Sequence, residues 1–411
     1  MKPIVKNKIL LNVNEVYKEQ NPSIFFSSPN KKKVNQIFQT KNKFLIEKLK
    51  LLPKMFENSE LLDLGCGSGQ NTINYDWAGA KCTLVDYDKN STYLTKKLFT
   101  KYAKNKFKVI NKDLFNFKSK KKFNFVISNA VSHHTWDTIK SIEHAISFLK
   151  KDGILILGLG ETNGFFQRNL QRYILYSLSE DKNEIIKLAK MFFSENLKRA
   201  KKYGGRTILE IIYDTFINPR IDPLSFQEIK KLFKKNKLHI FSSDEENFDY
   251  MEASKITKYY YSRLKKIDFR KNKNLEGPSF LFNSLMNFSS LETSDKIKTK
   301  NSKTLKEILN IQNKLTNIIK NQNFQEYKKL KIDAFLKNYK KTVVQLKKTD
   351  VIDKKKTLIF LGEISSILKI LNSKKNRINK INKLKIIIKK NKLLFRGRSG
   401  KGMNYYVGLK V

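Results

Sequence analysis

The sequence predicts an α/β fold: a doubly wound, mostly parallel sheet of seven strands with an antiparallel last strand, plus a helical lid and a helical insertion. Three observations lead to it. Between about residues 60 and 160, short apolar runs alternate with amphipathic stretches, as strands alternate with crossover helices in parallel sheets. A glycine-rich turn follows the first run. The final residues, 404–411, have the alternation of a strand.

The first five predicted strands are apolar runs, and the segments between them have helical periodicity. The strands are LLDLG (61–65), CTLVD (82–86), FKVIN (107–111), FNFVISN (123–129) and GILILGLG (153–160). Helices are predicted over 91–103 and 138–151. A further helix over 34–52 is expected to cover the sheet edge.

Beyond the fifth strand, three helical patterns within about 162–217 predict a lid, an unusual length between two strands. A helix (225–236) and a sixth strand, LHIFSS (238–243), follow. We therefore divide the chain into four segments. They are an N-terminal helical arm (1–55), a core with its lid (56–244), a helical insertion (245–395) and a terminal strand that returns to the sheet (396–411).

Two alternatives concern the C-terminal part. Residues 245–395 are either an insertion between strands six and seven or an independent C-terminal helical domain; 305–320 and 358–372 have the pattern of amphipathic helices. Residues 392–411 have the pattern of a strand, a glycine turn and a second strand.

Composition limits the class of protein. The 411 residues contain no long apolar run and no signal-peptide core, so we expect a cytoplasmic protein without a membrane span. Two cysteines exclude a disulfide framework. The net charge is +47, but only ten of the 84 basic residues are arginine, which favours a compositional lysine bias over phosphate recognition. About half of the excess falls in residues 301–411, where it would favour anionic partners.

The segment LLDLGCGSGQNT places Gly65, Gly67 and Gly69 directly behind the first strand. Glycine lets the backbone turn sharply and approach a ligand closely. The G-x-G-x-G spacing differs from the G-x-G-x-x-G of dinucleotide-binding turns, and no Lys-Ser/Thr pair follows as in a Walker-type loop. A nucleotide-like ligand of another kind is therefore predicted.

Three aspartates suit an adenosine that carries a cationic amino acid. Asp86 ends the second strand and can accept hydrogen bonds from both ribose hydroxyls. Asp113 follows the third strand, where it can accept a hydrogen bond from an exocyclic amine such as adenine N6. Asp63 lies in the first strand, where it can lie beneath the cationic amino-acid group of the ligand. The alternative for each is that it only caps a neighbouring helix.

In their order along the chain, five segments resemble the motifs of the class I S-adenosylmethionine-dependent methyltransferases, which have a Rossmann-like fold. These segments are LLDLGCGSGQNT, TLVDYD, NKDLF, FNFVISNAVSHHT and LKKDGILIL. VSHHT and the following GLGETNGFFQRNLQR resemble a bacterial subgroup with an LHHT-like motif and no assigned substrate. The chain departs from the pattern at Ser132, where an apolar residue is usual, and after residue 245.

The resemblance implies S-adenosylmethionine as cofactor. It implies that the three glycines approach the methionine part, that Asp86 binds the ribose, and that Asp113 and Leu114 flank the adenine. Cys66 in the loop, Tyr87 beside Asp86 and Asn129 at the end of the fourth strand complete the predicted donor-binding set. No metal is expected.

Methyl transfer from a sulfonium is an in-line displacement, so positioning dominates and a base is needed only when the acceptor must lose a proton. His133 and His134 follow the fourth strand at the ligand edge and are the candidate bases, with His133 preferred. A structural imidazole that fixes the loop is the alternative. Arg220 and Asp222 are interpreted as surface-turn residues.

The leading functional hypothesis is methylation of a small-molecule, glycan, lipid or quinone-type biosynthetic intermediate. The alternative is an RNA methyltransferase that uses the basic C-terminal region. After strand four, however, the chain reads SNAVSHH, without the N/D-P-P-Y that grips a base nitrogen, and no Pro-Cys pair supplies a nucleophile for pyrimidine carbons. A non-catalytic partner protein that keeps the fold is a third hypothesis. The sequence gives neither the acceptor nor the oligomeric state.

Overall fold

The computed structural model describes residues 13, 15–20, 30–162, 165–204, 206–244, 344, 354–396 and 403–411. It contains a seven-stranded sheet in the order β3-β2-β1-β4-β5-β7-β6. The strands are β1 (Glu60–Leu64), β2 (Lys81–Asp86), β3 (Phe107–Asn111), β4 (Phe123–Asn129), β5 (Leu149–Gly160), β6 (Leu238–Ser243) and β7 (Met403–Lys410). Strands β1 to β5 pair in parallel, whereas β7 is antiparallel to both its neighbours. The predicted Rossmann-like fold class is confirmed.

The described helices lie in or near most of the predicted helical segments, and several of them begin at polar caps. They are α1 (Lys31–Glu47), α2 (Ile73–Trp77), α3 (Lys89–Tyr102), α4 (Thr138–Ser147), α5 (Phe166–Tyr176), α6 (Lys182–Phe192), α7 (Ser194–Gly204), α8 (Ile208–Ile212), α9 (Phe226–Lys235), α10 (Lys354–Asn372) and α11 (Arg377–Lys390). Asp88 caps α3 by accepting the Ser91 N–H at 2.7 Å. Such caps satisfy backbone donors that the helix itself leaves free.

The helix predicted over 138–151 ends earlier, at Ser147. The Phe148 carbonyl accepts the Phe123 N–H at 2.9 Å, and Leu149 pairs with Phe123 in the sheet. Because they pair with β4, residues 149–151 of the predicted helix belong to β5 instead.

The central strands are buried on both faces, which explains why their sequences are continuous apolar runs. In β1 the residues from Leu61 to Leu64 are all buried, including Asp63. On one face Phe56 packs with its ring centroid 4.3 Å from that of Phe125 and 5.0 Å from that of Tyr75. This packing fixes the strands whose ends carry the predicted site.

The chain returns to the sheet at its C-terminus, as predicted. β7 pairs with β5 from Ile154↔Leu409 to Gly160↔Met403 and with β6 on its other side. Gly408 lies in close quarters there, because a Cβ on it would lie 2.7 Å from Leu238 Cδ2 and 2.8 Å from Phe233 Cε2. A connection between β6 and β7 therefore contains residues 244–402, which makes the region an insertion in the sheet order.

The prediction of a first strand in the terminal hairpin is wrong. Residues 392–396 form bends and turns instead. The Glu363 carboxylate of α10 accepts the backbone N–H groups of Lys392, Leu393 and Leu394. Because a side chain satisfies these donors, the segment needs no strand partner. The predicted helix over 305–320 lies outside the described residues.

The chain divides into two compact units. Among the described residues, those up to 161, 220–244 and 403–411 belong to unit 1, and 162–219 and 344–396 belong to unit 2. Unit 1 contains the sheet. Unit 2 combines the predicted lid with the described end of the insertion.

Unit 2 has its own apolar core. Leu170 and Ile174 of α5, Leu188 of α6, and Ile367 of α10 are among its fully buried side chains. Arg377 at the start of α11 joins α6, because its guanidinium donates to Glu184 Oε1 at 2.8 Å. Burial of apolar surface from two distant chain segments stabilises this unit.

No described helix has the length and apolar character needed to cross a membrane.

Candidate functional site

The carboxyl ends of the parallel strands meet at one edge of the sheet of unit 1, where α/β folds bind ligands. Leu64 pairs with Val85, Asp63 with Ile127, and Asn129 with Gly158. The predicted residues of β1, β2 and β4 are therefore brought to the same edge.

The glycine turn uses backbone conformations that other residues avoid. Gly65, Gly67 and Gly69 have φ angles of +83°, +56° and +72°, in the left-handed region that glycine tolerates best. The turn is fixed to β2, since the Val85 carbonyl accepts the Gly65 N–H at 2.7 Å. The backbone thus bends sharply away from β1.

Two of these glycines also make room for protein side chains. A Cβ on Gly65 would lie 2.3 Å from Val131 Cγ2, and a Cβ on Gly69 would lie 3.0 Å from Thr95 Cγ2 and 3.1 Å from Phe99 Cε2. Sequence reasoning attributed the glycines to a sharp turn and to the close approach of a ligand. Val131 and Thr95, which explain part of the pattern, carry no recognisable signal in the sequence.

Asp86 is tied to the glycine turn. Its Oδ2 accepts the Gly67 N–H at 2.8 Å, and its Oδ1 accepts the Asp88 N–H at 2.9 Å. Burial raises the pKa of Asp86, while the hydrogen bonds from Asp88 and Gly67 oppose that shift. The carboxylate therefore orders the turn as well as ending β2. The neighbouring Tyr87 side chain is exposed.

Asp63 is a buried carboxylate, and one of its oxygens is not hydrogen-bonded within the described part of the chain. Its side chain is 4% exposed, and Oδ2 accepts the hydroxyl of Thr72. Oδ1 is buried and has no hydrogen-bond partner among the described residues. Burial raises the pKa of Asp63 to about 7, the Thr72 bond opposes this, and the charge of Asp86 adds to it. Such a group favours a cationic ligand, because an unpaired buried carboxylate is costly.

Asn129 offers a second acceptor at the same edge. Its Oδ1 is buried and without a partner in the described part of the chain. Gly158 on the paired strand leaves space for it, since a Cβ there would lie 2.4 Å from Asn129 Oδ1.

Asp113 acts as a cap in the structure. Its Oδ1 accepts the Phe115 N–H at 2.8 Å, at the start of a 3-10 turn that contains Leu114. The Phe115 ring packs against that of Trp136 at a tilt of 41°, with ring centroids 4.7 Å apart. This aromatic pair was not predicted, because its members lie in different loops.

Cys66, which follows β1, and Cys82, which lies in β2, are both free and buried. Burial raises the pKa of the Cys66 thiol, and the nearby Asp86 and Asp63 charges add to the shift. Cys66 is therefore a neutral thiol, unsuited to nucleophilic attack.

Both candidate histidines make structural hydrogen bonds. His133 is 2% exposed, and its Nδ1 accepts the Gly160 N–H at 3.3 Å. His134 Nδ1 lies 2.8 Å from the Arg220 carbonyl, which requires His134 Nδ1 to be the donor. The two rings lie 4.2 Å apart. These contacts match the alternative in which the imidazoles fix the loop.

The segment around residues 220–222 holds this turn in place. Asp222 N–H donates to the His133 carbonyl at 2.8 Å, and Arg220 forms an ion pair with Asp222 at 3.0 Å. Thr138 donates to Asp222 Oδ2 at 3.1 Å. Arg220 and Asp222 are thus turn-forming residues, as interpreted from the sequence.

Ser132, the departure from the family pattern, belongs to a buried hydroxyl chain. Its Oγ lies 3.2 Å from Ser128 Oγ and accepts the Ser141 hydroxyl at 2.9 Å. Two compensating serines therefore allow a polar residue at this position.

Within the described residues, no group of three or more His, Cys, Asp or Glu side chains could hold a metal ion.

A family model described as a methyltransferase domain matches residues 38–204. The chain carries a class I methyltransferase domain. The methyl donor of this class is S-adenosylmethionine, so the protein is an S-adenosylmethionine-dependent methyltransferase. The bacterial subgroup suggested by VSHHT has no such support. A search of the curated proteins finds no significant match.

Three solved structures are similar to parts of this chain at low identity. Magnesium protoporphyrin IX methyltransferase from Synechocystis PCC 6803, with bound S-adenosylhomocysteine, is 16% identical, with a TM-score of 0.32, over 58% of this chain and 87% of its own. PKMT2 from Rickettsia typhi is 19% identical, with a TM-score of 0.39, over 54% and 48%. The N-methyltransferase NodS from Bradyrhizobium japonicum is 13% identical, with a TM-score of 0.27, over 38% and 74%.

Proposed function

We propose that the edge residues of unit 1 hold S-adenosylmethionine in the manner the motifs imply. Asp63 Oδ1 and Asn129 Oδ1 are buried acceptors without partners among the described residues, which suits the cationic amino-acid end of the donor. Asp86 binds the ribose, and Asp113 with Leu114 flanks the adenine. The glycine turn leaves room for the methionine part. Bound there, the donor supplies an activated methyl group.

Donor affinity is expected to depend on pH through Asp63. With its pKa near 7 in the donor-free protein, this carboxyl is largely protonated below pH 7, whereas a cationic donor favours its ionised form. Affinity should therefore fall as pH drops below 7, by up to about tenfold per unit, and binding should release a proton. Calorimetric titration in buffers of different ionisation enthalpy measures both.

An Asp63→Asn variant provides the control, since its side chain cannot titrate. The variant should bind the donor more weakly at pH 8 and show little change between pH 6 and 8. The same pH profile in both proteins would remove Asp63 from the donor site.

We further propose that the acceptor is a small molecule or a biosynthetic intermediate, methylated on oxygen or nitrogen. The turn after β4 carries this proposal. Its polar groups are engaged within the protein: Ser132 by serines, His133 by Gly160, and His134 by Arg220. It offers no motif of the kind that grips a nucleic-acid base. Of the two histidines, His133 stays the preferred candidate for a role at the acceptor, as the sequence analysis predicts.

The test is transfer of labelled methyl from S-adenosylmethionine into a cell extract separated into RNA, lipid or glycan, and small-molecule fractions. We expect label in the small-molecule or lipid fraction, and none with the Asp86→Asn protein. Label confined to RNA would replace this proposal with the RNA alternative. Donor binding without transfer to any fraction would contradict it.

A further inference from the structure

Lys41 occupies a core-facing position of helix α1 in unit 1. The buried and partly buried positions of this helix recur every three or four residues and include Val34, Phe38, Lys41 and Leu45. Such a stripe is the side of a helix that packs against a core. A compositional lysine bias does not explain a lysine there, because biased lysines fill solvent-exposed positions, as Lys43 does.

The amino group of Lys41 has no acidic partner in the described part of the chain. Its Nζ forms no hydrogen bond or ion pair there, and burial lowers the pKa of Lys41. By contrast, Lys43 on the exposed side of α1 pairs with Glu47 at 3.8 Å. A desolvated ammonium group without a counter-ion is costly, so the position of Lys41 favours an anionic ligand.

Two aromatic contacts place Lys41 over the central strands of the sheet. The Phe44 ring lies 4.9 Å from that of Tyr405 in β7, and the Phe38 ring lies 5.6 Å from that of Trp77 in α2. Lys41 is three residues from each of these α1 phenylalanines, and α2 connects β1 to β2. Since β1, β4 and β5 lie between β2 and β7, this part of α1 covers one face of those three strands.

The covered face is the one that carries Asp63 and Asn129. Leu61 of β1 and Ile127 of β4 belong to the same apolar core as Leu45 of α1. Asp63 and Asn129 each lie two residues further along those strands, and side chains two residues apart in a strand share a face. Lys41 and the two buried acceptors of the donor site therefore lie on the same side of the sheet.

Tyr405 fixes the level of this contact along the strands. It pairs with Gly158 near the carboxyl end of β5. A Cβ on Gly158 would lie 2.4 Å from Asn129 Oδ1 and 3.0 Å from Tyr405 Cε1, so the two side chains flank the same glycine. Because Phe44 packs on Tyr405, Lys41, less than one helical turn away, lies near the ligand edge.

We propose that Lys41 binds the carboxylate of the amino-acid end of S-adenosylmethionine. This end is a zwitterion, whose ammonium group suits Asp63 and Asn129 and whose carboxylate requires a cation. No ion pair joins Lys41 to Asp63 in the donor-free protein, which leaves both charges available to the two ends of the zwitterion. The identity of the ligand rests on the proposed function. The N-terminal helical arm thereby takes part in donor binding.

The test compares S-adenosylmethionine with its decarboxylated analogue, which keeps the adenosine, the sulfonium and the amino group. Isothermal titration of the full chain is carried out at pH 8, above the pKa of about 7 of Asp63. The wild type should bind the analogue at least about tenfold more weakly than the donor. Lys41→Met should lose at least about tenfold in affinity for the donor and bind the analogue no more weakly than the wild type does.

Two outcomes of this comparison would overturn the proposal. Equal losses for the donor and the analogue in Lys41→Met would show a general effect on the fold or the arm. Unchanged binding of both would show that the Lys41 amino group stays in solvent and does not reach the ligand.

The matched control is Lys43→Met, which removes the same charge from an exposed position of the same helix. It should bind both ligands as the wild type does. The same loss of donor affinity in both variants would mean general attraction of a carboxylate to a basic protein and would contradict a specific role for Lys41.

Thermal unfolding without donor separates binding from structure. Because methionine suits a core-facing position and Lys41 is a desolvated cation, Lys41→Met should be at least as stable as the wild type. Marked destabilisation would show that Lys41 is structural and would overturn its assignment to the ligand.

A third ligand separates this inference from the proposed function. 5′-Methylthioadenosine lacks the amino-acid end, so Lys41→Met should bind it normally, whereas Asp86→Asn should bind it weakly. If the wild type binds neither the donor nor this fragment, the donor site itself is wrong and the inference fails with it. If the wild type binds both and Lys41→Met keeps full donor affinity, only the role of Lys41 is wrong.

Discussion

A Gly65→Ala variant is expected to lose about 3 kcal/mol of unfolding free energy and most of its donor binding. A left-handed backbone costs alanine about 1 kcal/mol or more, and overpacking a buried site costs about 1–3 kcal/mol. Both terms apply, because Gly65 has a φ of +83° and its added Cβ would lie 2.3 Å from Val131 Cγ2. Urea unfolding, followed by circular dichroism, measures the loss.

Val131→Ala provides the second arm of a double-mutant cycle. Removing the two Cγ atoms should relieve the clash but leave the backbone strain, so the double variant should recover roughly 1–2 kcal/mol relative to additive losses. Purely additive losses would show that Val131 does not impose glycine at this position. An unchanged stability in Gly65→Ala alone would contradict the geometry altogether.

An Asp86→Asn variant is expected to bind S-adenosylmethionine about 100-fold more weakly. Charge-assisted hydrogen bonds to the two ribose hydroxyls would be lost, each being stronger than a neutral bond. The amide also has one acceptor oxygen, whereas Asp86 uses both oxygens, on Gly67 and Asp88. Isothermal titration with the donor gives the affinity, and circular dichroism verifies the fold.

Asp181→Asn is the matched control for Asp86→Asn. Asp181 caps α6 by accepting the Glu184 N–H at 2.8 Å, and asparagine caps helices equally well. Its donor affinity should equal that of the wild type. If Asp86→Asn also binds normally, Asp86 is only an anchor of the glycine turn and the ribose assignment is wrong.

Much of the candidate donor-binding edge of the sheet was predictable, because local sequence patterns indicate its strands and its turn. Continuous apolar runs predict β1, β2 and β4, since strands of a parallel sheet are buried on both faces. Gly65, Gly67 and Gly69 predict a turn that other residues tolerate poorly. The apolar run CTLVD predicted that β2 ends at Asp86, and β2 does end there.

The hydrogen-bond partners of the two histidines were not predictable from local patterns. His133 and His134 are adjacent in sequence, but their partners, Gly160 and Arg220, lie 27 and 86 residues further along the chain. Only the packing of the segment around Arg220 against the turn decides that both imidazoles act as fixed hydrogen-bonding groups.

The sequence by itself determined the strands, the glycine turn and the carboxylates at the sheet edge, because each depends on neighbours a few residues away. The tertiary structure decided what surrounds them. It placed β7 between β5 and β6, buried Asp63 with one oxygen unpaired among the described residues, and set Val131 against Gly65. It also joined α5 and α10 in one core from segments nearly 200 residues apart. Contacts between distant segments depend on the packing of whole surfaces, and no local pattern of residues encodes that packing.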